Sequence, residues 1–292
     1  GNNTAVGHQA GLSVTTAIKN TLVGGNAGDA ITEGGFNVAL GYDALGANTI
    51  GNSNVAIGET ALATNVAADR NVAIGTQALT AMTSATTLDT YNTAIGYNAG
   101  LTVTSGTFNT LLGGQAGDAI TSGSENVAIG YGSLSTEQTH GQNVAVGMQA
   151  LATQNAYNVA VGYDAGLAVT TGTQNTLIGG LAGDALTTGG SNVAIGYEAL
   201  TTEDTTGSSV AVGYRALRVQ NAGSASYNLA VGTLAGAALT TAIRNTLIGG
   251  LSGDAITTGG DNVSLGYNSL GSNTIGNSNV AIGKDSMLTN VA

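Results

Sequence analysis

The sequence predicts an all-β fold: a parallel β-solenoid (β-roll) of about 17 coils of about 17 residues each. Three observations predict it. An apolar triplet recurs at a nearly fixed period, each triplet is short and rich in β-branched residues, and a glycine always follows it. Short periodic units of this kind are typical of solenoids, in which each unit packs only against its neighbours.

The period is set by an Asn that precedes each triplet, as in NVAIG from residue 126. The spacing between these starts is 17 residues except at three places, where it is 21, 15 and 19. Seventeen residues are too few for paired helices, so each coil is expected to contribute one short strand, stacked ~4.8 Å from the next. The coil starts are residues 3, 20, 37, 54, 71, 92, 109, 126, 143, 158, 175, 192, 209, 228, 245, 262 and 279, all Asn except Ser209.

Two positions of the coil have a predicted structural role. The first-position Asn side chains are expected to stack into an amide ladder along the solenoid. The fifth residue is Gly in every coil, from Gly7 to Gly283. It is predicted to form a corner that needs positive φ or a close approach of two backbones.

A longer rhythm groups the coils. The ninth residue is Gly in two successive coils and then Leu, or once Met287, in the coils that follow. This rhythm indicates tandem duplication in four groups, residues 3–91, 92–157, 158–227 and 228–292. We expect residues 1–292 to form one continuous solenoid that belongs to a longer fibre.

The triplets are apolar on both sides, which indicates an interface. With Val and Ile directed into the coil, the middle residue would form an exposed row of Ala and Leu. Such a stripe is typical of a contact surface, so the chain is expected to be a homo-oligomer with protomers side by side. The predicted interface residues are Leu22, Leu111, Leu177, Leu247, Ala39, Ala56, Ala128 and Ala194.

Composition argues against several classes of function. The net charge of −11 leaves no basic patch for nucleic acid. No apolar run reaches the ~18 residues of a membrane helix. The chain has no Cys and only two His, and no metal-protease motif. We therefore expect no enzymatic activity, no cofactor and no membrane insertion.

Four aspartates recur once per group after a glycine. A turn-forming role is favoured for them. The alternative is a weak metal site, in which equivalent aspartates of the oligomer would form a ring of acids for Ca²⁺. These candidates are Asp29, Asp118, Asp184 and Asp254.

The three irregular coils suggest a site of recognition. Their extra or missing residues fall in segments 81–91, 152–157 and 218–227, each of which ends in Tyr. Loops at one corner of a solenoid carry binding more often than its strands do, although these segments are also explained by unequal duplication. The predicted receptor contacts are Thr83, Thr86, Asp89, Tyr91, Gln154, Asn155, Tyr157, Gln220, Asn221, Ser224 and Tyr227.

The repeated phrase N-[ST]-[VA]-A-[IV]-G-x-x-[AS] resembles the head repeats of trimeric autotransporter adhesins. The longer variants, such as NTAIGYNAGLTVTSGTFNTLLGG from residue 92, are more similar to the repetitive shafts of bacteriophage tail fibres. The resemblance implies a homotrimer within a virion tail fibre that contacts other tail proteins and a host-surface glycan or protein. A bacterial surface adhesin is the alternative. An ice-binding solenoid is a third, disfavoured because the threonines of the VTT and ITT stretches are expected to drift in phase between coils.

Overall fold

The chain folds into two compact units, Gly1–Asn143 and Val144–Ala292. The computed structural model describes residues 1–84, 86–136, 139–152, 156–202, 205, 207–223 and 225–288. Each unit is a parallel β-solenoid, and within these described residues every regular element is a β-strand. The predicted fold class is confirmed, whereas continuity of one solenoid over residues 1–292 stays a prediction.

In the first unit, each coil contributes a three-residue strand that pairs in parallel with the strand of the next coil. Equivalent positions lie opposite one another, so Ala94 faces Leu111. Two further two-residue strands, β5 and β7, pair with each other in the 21-residue coil and the coil before it. The strands are β1 (Thr4–Val6), β2 (Thr21–Val23), β3 (Val38–Leu40), β4 (Val55–Ile57), β5 (Ala68–Asp69), β6 (Val72–Ile74), β7 (Leu88–Asp89), β8 (Thr93–Ile95), β9 (Thr110–Leu112) and β10 (Val127–Ile129).

The second unit repeats the arrangement without extra strands among its described residues. Register is kept across the irregular spacings, since Ala211 lies opposite Ala230 despite a 19-residue coil. The strands are β11 (Val144–Val146), β12 (Val159–Val161), β13 (Thr176–Ile178), β14 (Val193–Ile195), β15 (Val210–Val212), β16 (Leu229–Val231), β17 (Thr246–Ile248), β18 (Val263–Leu265) and β19 (Val280–Ile282).

The inward and outward faces of the strands are the reverse of the prediction. In every three-residue strand except β1, the middle residue is buried and the two flanking residues are more exposed. The predicted interface was therefore wrong in its residues, because their side chains fill the coil interior. All are 0% exposed: Leu22, Leu111, Leu177, Leu247, Ala39, Ala56, Ala128 and Ala194.

The narrow interior explains this reversal and the Gly–Leu rhythm. At Gly117, a Cβ atom would lie 2.7 Å from Leu111 Cδ2 and 2.8 Å from Ile120 Cδ1. In the second Gly coil of each group, glycine at the ninth position thus makes room for Leu in the strand and for an apolar residue at the twelfth position. In the first Gly coil the strand carries Ala, and Gly100 makes room for Leu111 of the next coil. Where Leu79 takes the ninth position, the strand carries the smaller Ala73. Because protein interiors are close-packed, a larger side chain at one of these positions requires a smaller one at another.

The corner glycines have the predicted geometry. Gly113 has φ of 139°, and a Cβ there would lie 2.6 Å from the carbonyl oxygen of Gly130 in the next coil. Three further positions of the same coil also have positive φ, at Gln115, Gly117 and Glu125. This pattern recurs in the other coils. Only the corner itself was expected from the sequence.

The predicted amide ladder is confirmed, and it is buried. The backbone N–H of Asn37 donates to Oδ1 of Asn20 at 2.8 Å, and the Asn20 Nδ2 donates to the carbonyl of Gly34 at 2.9 Å. Each Asn thus joins its own coil to the next. Because buried polar groups are costly without partners, the ladder fixes the coil register.

Candidate functional site

The outward face of the strands is apolar. Leu40, Leu112 and Leu265 each expose 44–45% of their surface at the third strand position, and Ile178 exposes 38%. The first strand position is Val or Thr in nearly every coil. The predicted apolar stripe therefore exists, but it is formed by the residues that flank the middle position.

Tyrosines form a second exposed column, directly after the corner glycines. Their exposed fractions run from 42% at Tyr214 to 58% at Tyr42, Tyr97 and Tyr131. The ring of Tyr131 lies over Gly114 of the preceding coil, where a Cβ would be 3.5 Å from the ring. These side chains thus cover backbone on one side and expose the other side of the ring.

In the first unit, two predicted receptor contacts belong to one exposed cluster. Asp89 forms an ion pair with Arg70, and the Arg70 guanidinium lies 5.6 Å from the ring of Tyr91. Tyr91 stacks on Phe108 with 5.5 Å between ring centroids, and its hydroxyl lies 3.3 Å from Asp89 Oδ2. Thr83 and Thr86 are also exposed.

In the second unit, three of the predicted contacts are exposed and one is not. Tyr157 and Tyr227 expose 59% and 63% of their surface, and Asn221 is also exposed. Gln220 is 0% exposed, so its assignment as a receptor contact was wrong. Three predicted contacts lie outside the described residues: Gln154, Asn155 and Ser224.

Gln220 is buried because it completes the amide ladder where Ser209 replaces Asn. Its Nε2 donates to the hydroxyl oxygens of Ser209 and Ser226, at 2.7 and 2.8 Å. Its Oε1 accepts a hydrogen bond of 2.9 Å from Asn228 Nδ2. The side chain thus supplies the carbonyl acceptor that Ser209 lacks.

The four aspartates lie on separate coils, and the fold does not bring them together. Oδ1 of Asp118, Asp184 and Asp254 is buried without a hydrogen-bond partner among the described residues. Burial raises the pKa of these carboxyls, and backbone N–H groups of the same turn act in the opposite direction. The described residues contain no group of three or more His, Cys, Asp or Glu that could hold a metal ion.

A cavity of about 360 Å³ crosses three consecutive coils of the second unit. The first coil contributes Arg215 and Arg218, the second contributes Leu234 and Ala237, and the third contributes Asp254. No single coil contains the site, so the repeat pattern did not reveal it. The available signal was the pair of arginines in YRALR, since the chain has only six basic residues.

Beside this cavity, two arginines share one carboxylate. Arg215 Nε lies 2.6 Å from Glu198 Oε2, and Arg218 Nη1 lies 3.9 Å from the same oxygen. The hydrogen bond from Arg215 lowers the pKa of Glu198, so the carboxylate is charged at neutral pH. Arg215 also stacks over Tyr214, which in turn stacks on Tyr197.

The threonines of the VTT and ITT stretches stand in register, contrary to the phase drift inferred from the sequence. Thr15, Thr32, Thr104 and Thr121 occupy equivalent positions. The hydroxyl of Thr15 donates to the carbonyl of Thr32 at 2.9 Å, and that of Thr104 donates to Thr121 at 3.2 Å. Each of these hydroxyls donates to a carbonyl of the next coil, and the phase drift that disfavoured an ice-binding surface is absent at these positions.

Comparisons with protein-family models, curated proteins and solved structures gave no significant match. The structure also contains, in its described part, no helix long and apolar enough to cross a membrane.

Proposed function

We propose that this chain is part of a bacteriophage tail fibre, and that it reaches toward and binds a host-surface receptor without covalent chemistry. The observation that carries the proposal is the repeated display of an exposed tyrosine at the end of each irregular coil, Tyr91, Tyr157 and Tyr227. Tyr supplies contact area at low entropic cost, and repeated weak contacts are strengthened by multivalency.

The fibre is proposed to be a homotrimer whose chains meet along the outward face of the strands. This face carries Leu40 and Leu112 in the first unit and Ile178 and Leu265 in the second. A second copy of the chain is the proposed occupant, since its face has the same coil spacing and the same apolar rows. The proposed number of three chains is taken from the resemblance to the heads of trimeric adhesins.

Light scattering of the purified chain tests the oligomer. We expect a mass near three times 28.4 kDa. Leu112→Asp places a charge on the strand face and should lower that mass, because charges in a dry interface are costly. Leu12→Asp is the matched control, since Leu12 is 65% exposed but lies outside the strands. A folded wild-type monomer would contradict the proposal.

Binding of the labelled chain to host bacteria tests attachment. Two sets of tyrosines can be compared, because both are exposed and their replacement leaves the interior unchanged. Tyr91, Tyr157 and Tyr227 precede the ladder position, whereas Tyr42 and Tyr97 follow the corner. Replacing the first set with Ala should reduce cell binding, and replacing the second set should not. Equal cell binding by both variants and the wild type would show that the irregular coils do not contribute to receptor binding.

The origin of the fibre is tested by the sequence that flanks the chain in its gene. A self-cleaving chaperone domain after the repeats would support a tail fibre. A membrane-anchoring barrel would instead support a bacterial adhesin and contradict the proposed location in a virion.

A further inference from the structure

The residues directly before the ladder position form a column along the first unit, here called the pre-ladder column. All of them have positive φ. Lys19 lies over the ring of Phe36, at 4.9 Å from the ring centroid. Gln142 Nε2 donates a hydrogen bond of 2.8 Å to Glu125 Oε2. Side chains of consecutive coils thus contact one another along this column. Its members are Asn2, Lys19, Phe36, Ser53, Arg70, Tyr91, Phe108, Glu125 and Gln142.

The ring of Phe108 is engaged on one face only. Tyr91 stacks on that face, with 5.5 Å between the ring centroids and 15° between the ring planes. No second aromatic ring and no cation contacts Phe108 among the described residues. The next member of the column, Glu125, directs its carboxylate to Gln142, which lies one coil further from the ring. Phe108 accordingly exposes 54% of its surface.

An open polar cavity of about 290 Å³ lies beside this ring. Ser124 of its lining accepts a hydrogen bond of 3.0 Å from the backbone N–H of Thr107, the residue before Phe108. Glu125 and Gln142 belong to the same lining. An exposed aromatic ring beside hydroxyl, amide and carboxylate groups suits a sugar, since the ring packs on C–H groups while the polar groups bind hydroxyls. The other lining residues are Ser122, Thr139 and Gly141.

The charge of the site favours a neutral sugar. Glu125 is exposed and has no cationic partner among the described residues. The equivalent acid of the second unit, Asp261, is instead paired with Arg244. Glu125 would repel an anionic sugar, whereas a hydroxyl of a neutral sugar can donate to its carboxylate. The arrangement is also local, because Phe108 is the only aromatic residue before the ladder position that an acid follows one coil later.

We propose that Phe108, Glu125 and Gln142 bind a neutral hexose. The free face of Phe108 packs against C–H groups of the sugar ring, and the side chains of Glu125 and Gln142 form hydrogen bonds with neighbouring hydroxyls. The inference deepens the proposed attachment function and rests on it for the source of the sugar, a glycan at the host surface. It places the sugar next to Tyr91, whose replacement is expected to reduce cell binding.

Saturation-transfer NMR titration of the full chain with methyl galactoside and methyl glucoside tests the site. We expect saturable binding of at least one of them. The corresponding methyl uronide, which adds only a carboxylate, should bind about tenfold or more weakly because of the charge of Glu125. Tighter binding of the corresponding amino sugar would indicate a site for a cation and overturn the neutral hexose. Absence of binding by both methyl hexosides would overturn the site itself.

Three variants assign the binding to these side chains. Phe108→Ala should weaken hexoside binding about tenfold or more, by loss of the aromatic contact. Glu125→Gln keeps a hydrogen-bond acceptor but removes the charge, so the uronide should bind about as well as the neutral glycoside. Phe36→Ala is the matched control and should bind as the wild type does. Phe36 lies in the same column and exposes 52% of its surface, but it is followed by Ser53. Thermal melts of all three verify folding.

Equal hexoside binding by Phe108→Ala and the wild type, or unchanged discrimination against the uronide in Glu125→Gln, would overturn the assignment. Attachment is measured separately with whole cells. A chain that adheres to cells but binds no hexoside contradicts this inference and leaves the proposed function standing. Hexoside binding by a chain that does not adhere to cells contradicts the proposed function and leaves the sugar site standing.

Discussion

The amide ladder is built in two ways, at the regular step from Asn109 to Asn126 and at the step from Ser209 to Asn228. At the regular step, the Asn126 backbone N–H and Nδ2 both donate to Asn109 Oδ1 at 3.1 Å. At the Ser209 step, Asn228 Nδ2 donates instead to Gln220 Oε1. The acceptor is retained although the residue that provides it differs.

The position of Gln220 in its coil explains why the ladder tolerates Ser209 in place of Asn. Gln220 is the twelfth residue of its coil, a position at which other Leu coils carry Asn48, Asn65 and Asn273. Those amides are also buried. Glutamine has one more methylene, which lets its amide reach the ladder. Irregular coil length and ladder chemistry are therefore linked in residues 209–227.

The largest loss of unfolding free energy is expected from replacing a corner glycine. The loss should be the same at both steps, because each step contains one such glycine. A Cβ at Gly113 or Gly213 would lie 2.6 or 2.5 Å from a carbonyl oxygen of the next coil. Replacing either with Ala should cost at least about 3 kcal/mol through the clash and the positive φ. Urea unfolding followed by circular dichroism would measure it.

Gly223→Ala is the control for the corner glycines. Gly223 has φ of 71° but no atom within 4 Å of its Cβ position. Its replacement should cost only about 1–2 kcal/mol, for the left-handed backbone alone. If Gly213→Ala were as mild as this control, close approach of the coils would not be the reason for glycine at the corner.

Replacing the residue that supplies the ladder acceptor should cost a different amount of unfolding free energy at the two steps. Asn109→Ala removes the acceptor of Asn126 and the donor to Gly123, which leaves several buried groups unpaired. At about 1–3 kcal/mol for each such group, the expected loss of unfolding free energy is about 3–5 kcal/mol. Gln220→Ala should cost less, about 1–3 kcal/mol. Asn228 Nδ2 keeps its bond to the Ala242 carbonyl, and the Ser209 and Ser226 hydroxyls keep each other. Equal losses would show that the two steps are equivalent.

Restoring the regular residue should recover part of the loss. In a Gln220→Ala background, Ser209→Asn returns an amide to the ladder and should regain about 1 kcal/mol. Ser209→Asn alone should destabilise, because Gln220 already occupies that space and overpacking is costly. A double-mutant cycle by chemical denaturation measures this coupling. If the stability changes of Ser209→Asn and Gln220→Ala were additive, the two side chains would not occupy the same place in the ladder.

Period, corner glycines and ladder could be predicted because the glycine occurs in every coil and the spacing and the Asn in nearly every coil. The inward face was assigned wrongly because Val, Ala and Ile are all apolar. The available polar signal was Thr, which replaces Val at the first strand position in six coils. The ninth, third and twelfth positions of the coil carry a signal for the inward face. Gly28 occurs with Leu22 and Ile31, whereas Leu45 occurs with Ala39 and Asn48. Opposite changes in volume indicate a shared interior. The period places Arg218, Ala237 and Asp254 at the tenth position of three consecutive coils, but it does not show that a cavity opens beside them.

The smallest predicted effect concerns the carboxyl of Asp184, whose buried Oδ1, unlike the ladder amides, has no hydrogen-bond partner among the described residues. Burial raises the pKa of Asp184, and the charges of Asp164 and Glu198 raise it further. A carboxyl whose pKa is raised by folding destabilises the fold above that pKa, and the penalty disappears at pH values below its ordinary pKa. Asp184→Asn should therefore raise the melting temperature slightly at pH 7 and leave it unchanged near pH 3.

Asp261→Asn is the control with the opposite sign. The hydrogen bond from Arg244 lowers the pKa of Asp261, so its charge stabilises the fold at neutral pH and this contribution is lost as the pH falls through the lowered pKa. The Asn variant should melt slightly below the wild type at pH 7, and the difference should vanish in acid. Thermal melts of both variants across this pH range test the two signs together. A lower melting temperature for Asp184→Asn at pH 7 would mean that its carboxylate has a stabilising partner, and the contrast with the fully paired ladder would fail at that position.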